Sequence, residues 1–434
     1  MQWIDTTVGE YCPFIYGKGL PQRNRKTGQI PVYGSNGIVD FHCDSYVKGA
    51  GIIIGRKGSV GAVHLSKNPF WPIDTSFYLE KSSIEELYFT YYLLKSLGLE
   101  QMNTDSAVPG LNRENAHALP IRIPEREQDR KLLGAWIAAF DEKIEINTKT
   151  NQTLEQIAQS IFKSWFVDFD PVKAKIAVLE SGGTAEQAEL AAMSSISAKD
   201  EAALKQMQAE QPDRYAELAQ TAALFPSKMV DSELGEIPEG WTILPLDQIA
   251  NYQNGLALQK FKPKNEKEFL PVVKIAQLKK GVADGEEKAA PDIRAECIID
   301  NGDVIFSWSG SLVVDIWCGG KAALNQHLFK VTSKIFPKWF YYYFTIHHLA
   351  EFQRIAADKA VTMGHIKREH LKDAMCPIAT GELISKANKL IGHLLEKQIE
   401  QRLENNSLNL IRDSLLPKLL SGELPIPETN EASA

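Results

Sequence analysis

The sequence of 434 residues lacks several features that would assign a protein to a compartment or a class. No apolar run approaches the roughly 18 residues needed to cross a bilayer, so we predict no membrane span. The five cysteines are scattered and never form a CxxC pair, which argues against a disulfide framework and a zinc knuckle. The N-terminus has no basic region followed by an apolar one, so no secretory signal is predicted. We therefore expect a cytoplasmic protein.

Complete catalytic motifs are missing as well. GGKA at 319–322 ends in alanine where a phosphate-binding loop requires serine or threonine, and the nine histidines include no HExxH pair. NPFW at 68–71 lacks the second proline of the adenine-methyltransferase loop. Catalysis by this chain alone is therefore disfavoured, and a self-contained methyltransferase or nuclease is retained as an alternative.

The negative net charge of -7 is unevenly distributed along the chain. Residues 172–239 carry 6 basic and 12 acidic side chains, whereas residues 1–125 carry 12 of each. Residues 240–377 carry 18 basic and 15 acidic side chains. The two large segments thus permit DNA binding through local basic loops, although the whole chain is acidic.

Two long stretches, 133–165 and its counterpart 254 residues later, share one pattern. In each stretch, the positions spaced alternately four and three residues apart are apolar near the ends and polar in the middle. The polar positions of the first stretch include Asn147 and Asn151. A 3.5-residue repeat is typical of a coiled coil, in which polar seam residues fix the register. Duplication favours two helices that pair with each other, as rods of roughly 50 Å, over two unrelated amphipathic helices. The predicted pairing residues are Leu133, Ile137, Phe140, Ile144, Leu154, Ile161, Trp165, Ile391, Leu394, Leu408, Leu415 and Leu419.

The regions that precede the two helices are also similar to each other. RKGSV at 56–60 matches WSGSL at 308–312, and NRE at 112–114 matches KRE at 367–369. In the first region, turn signals separate predicted strands near 30–33, 51–55 and 76–79, and a helix is predicted over 84–97. We interpret these regions as one architectural unit present twice, with the framework kept and the loops changed.

Two basic loops of the first region are candidates for nucleic-acid contact. The loop PQRNRKTG at 21–28 has no apolar residue to anchor it in a core, and GRKGSVG at 55–61 places two basic residues among three glycines. Glycine lets a backbone approach a phosphate closely, and arginine and lysine donate to phosphates or to guanine edges. Either loop alone is more typical of solvated surface than of a binding site.

Several fragments, in their order along the whole chain, resemble the specificity subunit of Type I restriction-modification enzymes. They are Pro124 with Glu127 and Gln128 before the first helix, WFVDFDPVKAK at 165–175, SELGEIPEGW at 232–241, and LIRDSLLPKLLSGELP at 410–425. YGSNGIVDF with GRKGSVG resembles one subtype of recognition domain. The second half departs from the pattern, because PIATGE at 377–382 stands where the first half has Pro124, Glu127 and Gln128.

The resemblance implies an α+β fold, in which two pseudo-repeated mixed α/β target recognition domains are joined by two long antiparallel coiled-coil helices. The implied segments are a first recognition domain at 1–125, a spacer helix at 126–171, a helical central linker at 172–239, a second recognition domain at 240–378, a second spacer helix at 379–422 and a flexible tail at 423–434.

The function that the resemblance implies is non-catalytic DNA recognition. Each domain would read one half of a split, asymmetric target in double-stranded DNA, and the helices would set the gap and dock two methylation subunits. Restriction and translocase subunits would join this core, and S-adenosylmethionine, ATP and Mg²⁺ would bind to the partner subunits. A coiled-coil adaptor without a DNA role is the competing interpretation.

The candidate DNA contacts are polar residues of the predicted loops. Lysine usually holds phosphate, whereas arginine, asparagine and glutamine are the better base readers. The candidates are Arg23, Arg25, Lys26, Asn36, Arg56, Lys57 and Ser59 in the first domain, and Lys260, Lys262, Lys264, Gln277, Lys279, Lys280, Ser309, Ser311, Lys321 and Gln326 in the second. Each of them, taken singly, is better explained as solvated surface.

Overall fold

The structure, a computed structural model, describes residues 1–102, 110–358 and 364–424. The chain divides into two compact units, Met1–Ile146 with Asn405–Ala434, and Asn147–Glu404. Among the described residues, none of the helices has both the length and the hydropathy that a membrane span requires. Most of the predicted flexible tail, from residue 425 onwards, lies outside the described residues.

The first 166 residues form a mixed β and α region followed by a long helix. Two sheets, β2-β8-β5-β6 and β4-β3-β7, are accompanied by the antiparallel pair β1-β9, which joins the two ends of the region. The elements are β1 Trp3–Thr7, α1 Val8–Tyr11, β2 Ile15–Tyr16, β3 Ile30–Gly34, β4 Gly37–His42, β5 Gly51–Gly55, β6 Val63–Ser66, β7 Trp71–Pro72, β8 Ser76–Leu79, α2 Ile84–Ser96, α3 Arg113–His117, β9 Pro120–Pro124 and α4 Glu127–Phe166.

Local sequence explains most of these elements. All five residues of β5 are buried, as its β-branched run predicts, and Gly37 adopts a positive φ that suits the turn between β3 and β4. Ser83 caps α2, because its side chain accepts a hydrogen bond from the backbone N–H of Glu86. The three predicted strands and the predicted helix are thus confirmed to within one residue at each end.

A helical segment follows α4. It contains α5 Asp170–Glu180, α6 Ala185–Ser197, α7 Glu201–Glu210 and α8 Pro212–Ala223, and then a hairpin of β10 Met229–Ser232 and β11 Gly235–Pro238. Within the implied spacer segment at 126–171, the first long helix does not reach Asp170 and Pro171. That helix ends at Phe166, Phe169 takes a left-handed backbone conformation, and Pro171 lies in the first turn of α5, where its missing N–H is not needed.

The second mixed region repeats the arrangement of the first. The antiparallel pair β12-β21 joins its ends, and its sheets have the orders β13-β20-β17-β18 and β15-β14-β19-β16. The elements are β12 Thr242–Pro245, α9 Leu246–Ile249, β13 Asn251–Asn254, β14 Leu270–Val273, α10 Ile275–Lys280, β15 Lys288–Ala289, β16 Ile298–Ile299, β17 Val304–Ser307, β18 Val314–Ile316, β19 Ala322–Leu324, β20 Leu328–Thr332, α11 Lys338–His347, α12 Leu349–Asp358, α13 Arg368–Asp373 and β21 Met375–Ile378.

The last helical stretch consists of α14 Gly381–Ala387, a π turn at Asn388–Gly392 and α15 His393–Ser421. In the first unit, Leu133 and Ile137 of α4 share a core with Leu419 of α15. In the second unit, the amide of Asn147 donates to Glu404 at 2.8 Å, and that of Asn151 donates to the Gln398 carbonyl. Residue numbers rise on α4 as they fall on α15, so the two helices run in opposite directions where these contacts form.

The π turn changes the buried face of the second helical stretch. It adds one residue to a turn, so burial passes from Ile391 to Leu395 and Ile399, and the predicted Leu394 is only partly buried. The indole N–H of the buried Trp339 donates to the Asn388 side chain at 3.0 Å in this turn. A tertiary contact therefore accompanies the departure from the regular heptad pattern.

Candidate nucleic-acid interface

The loop at 55–61 of the first unit is a tight turn that exposes two of the predicted contacts. The N–H of Gly61 donates to the Gly55 carbonyl at 2.8 Å, and Gly58 has a positive φ. A Cβ on Gly55 would lie 2.0 Å from the Ser59 carbonyl oxygen, so only glycine fits there. The turn leaves the predicted contacts Lys57 and Ser59 exposed and Arg56 half-buried.

Two residues outside the predicted set join this loop. The guanidinium carbon of Arg56 lies 5.3 Å from the centre of the Tyr16 ring, and that of Arg113 lies 4.9 Å from the same ring. Together with Lys57 they line a surface cleft of about 310 Å³. Two arginines thus lie against one exposed aromatic ring and a lysine lines the same cleft, an arrangement that suits a polyanionic ligand.

Asn36 lies at the exposed tip of the β3–β4 hairpin, beside the same loop. The hydroxyl of its neighbour Ser35 accepts a hydrogen bond from the Lys57 N–H at 3.4 Å and donates to the Thr75 carbonyl. The structure therefore brings Asn36, Arg56, Lys57 and Ser59 together.

The other predicted loop of the first unit lies against β4. Arg25 binds Asp40 at 3.0 Å and donates from Nε to the Leu20 carbonyl, while the Lys26 N–H donates to the His42 ring. The backbone N–H of Phe41 and the Arg25 guanidinium lower the pKa of Asp40. Arg25 therefore has a structural partner, whereas the side chains of Arg23 and Lys26 are exposed.

In the second unit, Ser309 and Gln326 lie on opposite sides of one histidine. The hydroxyl of Ser309 is 2.9 Å from Nδ1 of His327, and the side-chain nitrogen of Gln326 is 3.3 Å from its Nε2. The indole N–H of Trp308 donates to the Gln326 carbonyl. Because Ser309 is only 3% exposed, these contacts favour a role for it in shaping the loop. Ser311, the other predicted serine of this loop, is exposed.

The remaining candidates of the second unit are distributed over two loops and the helix α10. Lys260, Lys262 and Lys264 are exposed, and Lys264 lies 3.4 Å from Asp292. Lys279 and Lys280 are exposed at the C-terminal end of α10, where cations also stabilise the helix dipole, and Lys321 is exposed beyond β18. Gln277 donates to Asp284 and so lowers the pKa of that carboxyl.

The two units build these loops on the same backbone contacts. In the first, the Leu111 N–H donates to the Arg56 carbonyl at 2.8 Å; in the second, the Ile366 N–H donates to the Trp308 carbonyl at 3.0 Å. A β-bridge pairs Lys57 with Gly110, and another pairs Ser309 with His365. Equivalent backbone positions therefore carry different side chains.

The predicted pairing residues are buried mainly towards the ends of the long helices. Leu133, Ile137, Trp165, Ile391 and Leu419 are buried. The partly buried ones are Phe140, Ile144, Leu154, Ile161, Leu394, Leu408 and Leu415. The middle of the pair is polar, as the amides of Asn147 and Asn151 predict.

Comparison with known proteins gives a family. A family model described as the Type I restriction modification DNA specificity domain matches residues 2–156 and 238–412. The chain belongs to the specificity subunits of Type I restriction-modification enzymes. The two matched segments contain the two mixed regions, and residues 157–237, with most of the helical segment, lie outside them.

Two relatives of this family are similar over more than two thirds of their length. The chain is 32% identical to the Type I restriction enzyme HindI specificity subunit of Haemophilus influenzae over 332 residues, which cover 73% of this chain and 71% of that one. It is 24% identical to the MjaIX specificity subunit of Methanocaldococcus jannaschii, over 87% and 78% of the two chains. A crystal structure of an S subunit from M. genitalium matches 96% of each chain with a TM-score of 0.55 and 14% identity, which supports the fold.

Sequence reasoning missed Tyr16 and Arg113 as members of the candidate interface. Arg113 is the arginine of NRE at 112–114, a fragment whose repetition was visible, but its approach to Tyr16 depends on a contact across 97 positions of the chain. The recurrence of an arginine at 368 was the signal that could have identified it.

Proposed function

We propose that this chain is the non-catalytic DNA-reading subunit of a Type I restriction-modification complex, and that each mixed region reads one half of a bipartite, asymmetric target. The observation that carries the proposal is the pair of like frameworks with unlike loops. Arg56 and Lys57 occupy the backbone positions that Trp308 and Ser309 occupy in the other region. Different side chains on one framework are suited to reading different bases.

We propose further that α4 and α15 form an antiparallel coiled coil that sets the gap between the half-sites. Their contacts in each unit and the buried amides of Asn147 and Asn151 support this role. Polar residues in such a seam fix the register. A fixed register makes the pair suitable as a spacer of constant length.

The outer faces of these helices are the proposed docking surfaces for two methylation subunits. Trp136 is 39% exposed beside an apolar groove that Phe140 and Leu408 also line. At the repeated position, 254 residues later, Leu390 is 41% exposed. Exposed apolar residues at equivalent positions are suited to two copies of one partner. Restriction and translocase subunits would join this core, and S-adenosylmethionine, ATP and Mg²⁺ would bind to the partners.

The test is to express the chain with the methylation subunit encoded beside it and to map methylated adenines across the host genome. We expect one two-part motif with a constant gap. Replacing residues 1–125 with the corresponding domain of another specificity subunit should change one half of the motif alone. The methylation subunit without this chain is the control, and an unsplit motif, or a change in both halves, would contradict the proposal.

DNA binding by the same complex distinguishes the adaptor alternative. A reader that neutralises phosphates releases counterions, so its affinity for the target should fall steeply with salt. An adaptor without a DNA role would show no sequence-selective binding and no such dependence on salt.

A further inference from the structure

Tyr16 forms a platform for two arginine side chains at the surface of the first unit. Its ring is 48% exposed, yet the guanidinium groups of Arg56 and Arg113 both lie within 5.3 Å of the ring centre. Arg56 is also 6.0 Å from the ring of Phe77. Contact with aromatic faces restricts the orientation of a guanidinium plane, so its donors are held in place before a ligand arrives.

The two arginines differ in the use of their donors. Arg113 donates from Nε and Nη2 to Glu114, at 3.2 and 3.0 Å. In the part of the chain that the structure describes, no carboxylate lies within ion-pair distance of Arg56. The backbone of Arg56 holds the loop, because its N–H donates to the Thr75 carbonyl at 2.9 Å. Its side chain therefore retains its fork of donors for a group outside the protein.

We infer that Arg56 is a base-reading residue of the first recognition domain, that it reads a guanine, and that Tyr16 and Arg113 are its positioning residues. The inference rests on the proposed function. An arginine fork donates to O6 and N7 of guanine in the major groove, a pairing that no other base offers. Lysine at 57 carries a single point charge that suits the neighbouring phosphate.

The second domain has no equivalent reader at the same backbone positions. Trp308 replaces Arg56, and the arginine that corresponds to Arg113 is Arg368. Arg368 lies 5.5 Å from the ring of Phe329, and its Nη2 donates to the Tyr252 carbonyl at 2.9 Å. Its donors thus stabilise the domain. The same framework consequently places a guanine-reading arginine in the first domain. In the second domain the equivalent position carries no arginine.

The test uses the purified complex of the full chain with its methylation subunit, radiolabelled S-adenosylmethionine and DNA duplexes in which each base pair of the target is replaced in turn. For the wild type we expect that the half read by the first domain contains one critical G·C pair. Replacing this pair should slow methylation roughly 5- to 150-fold. Arg56→Lys keeps the charge and removes the fork, so discrimination at this pair alone should be lost. Arg56→Lys with unchanged discrimination at every position would overturn the inference.

Two further variants test the platform, and a third serves as a control. Tyr16→Ala should weaken discrimination at the same base pair, and Tyr16→Phe, which keeps the ring, should restore it. If Tyr16→Ala behaves like the wild type, Tyr16 does not position Arg56. Arg368→Lys should leave the discrimination at every base pair unchanged. If the wild type methylates no split target, the proposed function fails; if it does and no G·C pair depends on Arg56, only this inference fails.

Discussion

His348 links the stability of the second unit to pH. Its Nε2 lies 3.2 Å from the Met375 carbonyl oxygen, and its ring packs at 6.1 Å from that of Phe352. Burial first, and then the charge of His347, lowers the pKa of His348 from 6.5 to about 4, although the hydrogen bond to the Met375 carbonyl and the charge of Glu351 act in the opposite direction. The folded protein therefore resists protonation at a site that the unfolded chain protonates readily.

The consequence is a loss of stability at mildly acid pH. As pH falls below 6.5, the unfolded state binds a proton at His348 while the folded state does not. The free energy of unfolding therefore keeps its full value above that pH and decreases as pH falls to about 4. The loss should reach up to about 3 kcal/mol. The free energy of unfolding can be measured by chemical denaturation at pH 7 and at about pH 4. The decrease between the two pH values should be smaller for His348→Gln than for the wild type. His393→Gln, at an exposed position, should retain the wild-type difference; equal differences in all three would refute the prediction.

At the residue scale, the sequence identified the loop at 55–61 but not the whole cluster around it. Arg56 and Lys57 were recognisable because glycines flank two cations. Tyr16 and Arg113 were not, because tertiary structure brings them from different elements. Composition likewise cannot distinguish a solvated arginine from Arg25, whose partner Asp40 belongs to β4.

Gly134 sets the distance between α4 and α2. A Cβ at this position would lie 1.8 Å from the carbonyl oxygen of Glu85 and 3.1 Å from the backbone nitrogen of Phe89. Both atoms belong to the backbone of α2, so no side-chain rotation could relieve the overlap. The two helices therefore approach each other closely only because one of them carries glycine here.

Gly134→Ala should destabilise the protein, against the usual preference of helices for alanine. Replacing glycine by alanine inside a helix stabilises it by about 1 kcal/mol, whereas overpacking costs about 1 to 3 kcal/mol. Since the clash is with backbone, the second effect should dominate in thermal or chemical unfolding. Gly381→Ala is the matched control, because nothing lies within 4 Å of the added Cβ, and it should be neutral or slightly stabilising. A stabilised Gly134→Ala variant would contradict the close contact.

At the element scale, local sequence signals predicted the bounds of strands and helices accurately. They predicted less accurately which side chains of the long helices are buried. Turn residues gave the bounds of β3 and β5, and the predicted helix over 84–97 agrees with α2 to within one residue. The heptad pattern predicted Leu394 in the seam, but the π turn displaced burial to Leu395. That turn holds the Trp339 indole, a residue 49 positions away, which a local pattern cannot include.

At the scale of the whole molecule, the internal repeat was the most informative feature of the sequence. Both mixed regions are closed by pairing of their first and last strands, and both hold their candidate loop by backbone hydrogen bonding to the segment before a short helix. The duplication predicted two like units, whereas the fold class and the family were implied by the fragments that resemble specificity subunits. The bases recognised do not, because they depend on loop side chains that the repeat leaves free to differ.

The proposed spacer makes a prediction about distance that is independent of base identity. Residues 147–153 of α4 and 398–404 of α15 face each other, since Asn147 contacts Glu404 and Asn151 contacts Gln398. Removing both heptads keeps the seam in phase and shortens the pair by about 10 Å, which corresponds to about three base pairs of DNA. Mapping of methylated adenines should then yield both half-sites unchanged and the gap shorter by that amount.

Deleting only one of the two heptads is the control for this experiment. It leaves seven facing residues without their partners, so we expect loss of stability and of methylation rather than a shorter gap. If the double deletion methylates the original motif, the helices do not set the spacing. If it changes a half-site, spacing and base recognition are not carried by separate parts of the chain, as the proposed function requires.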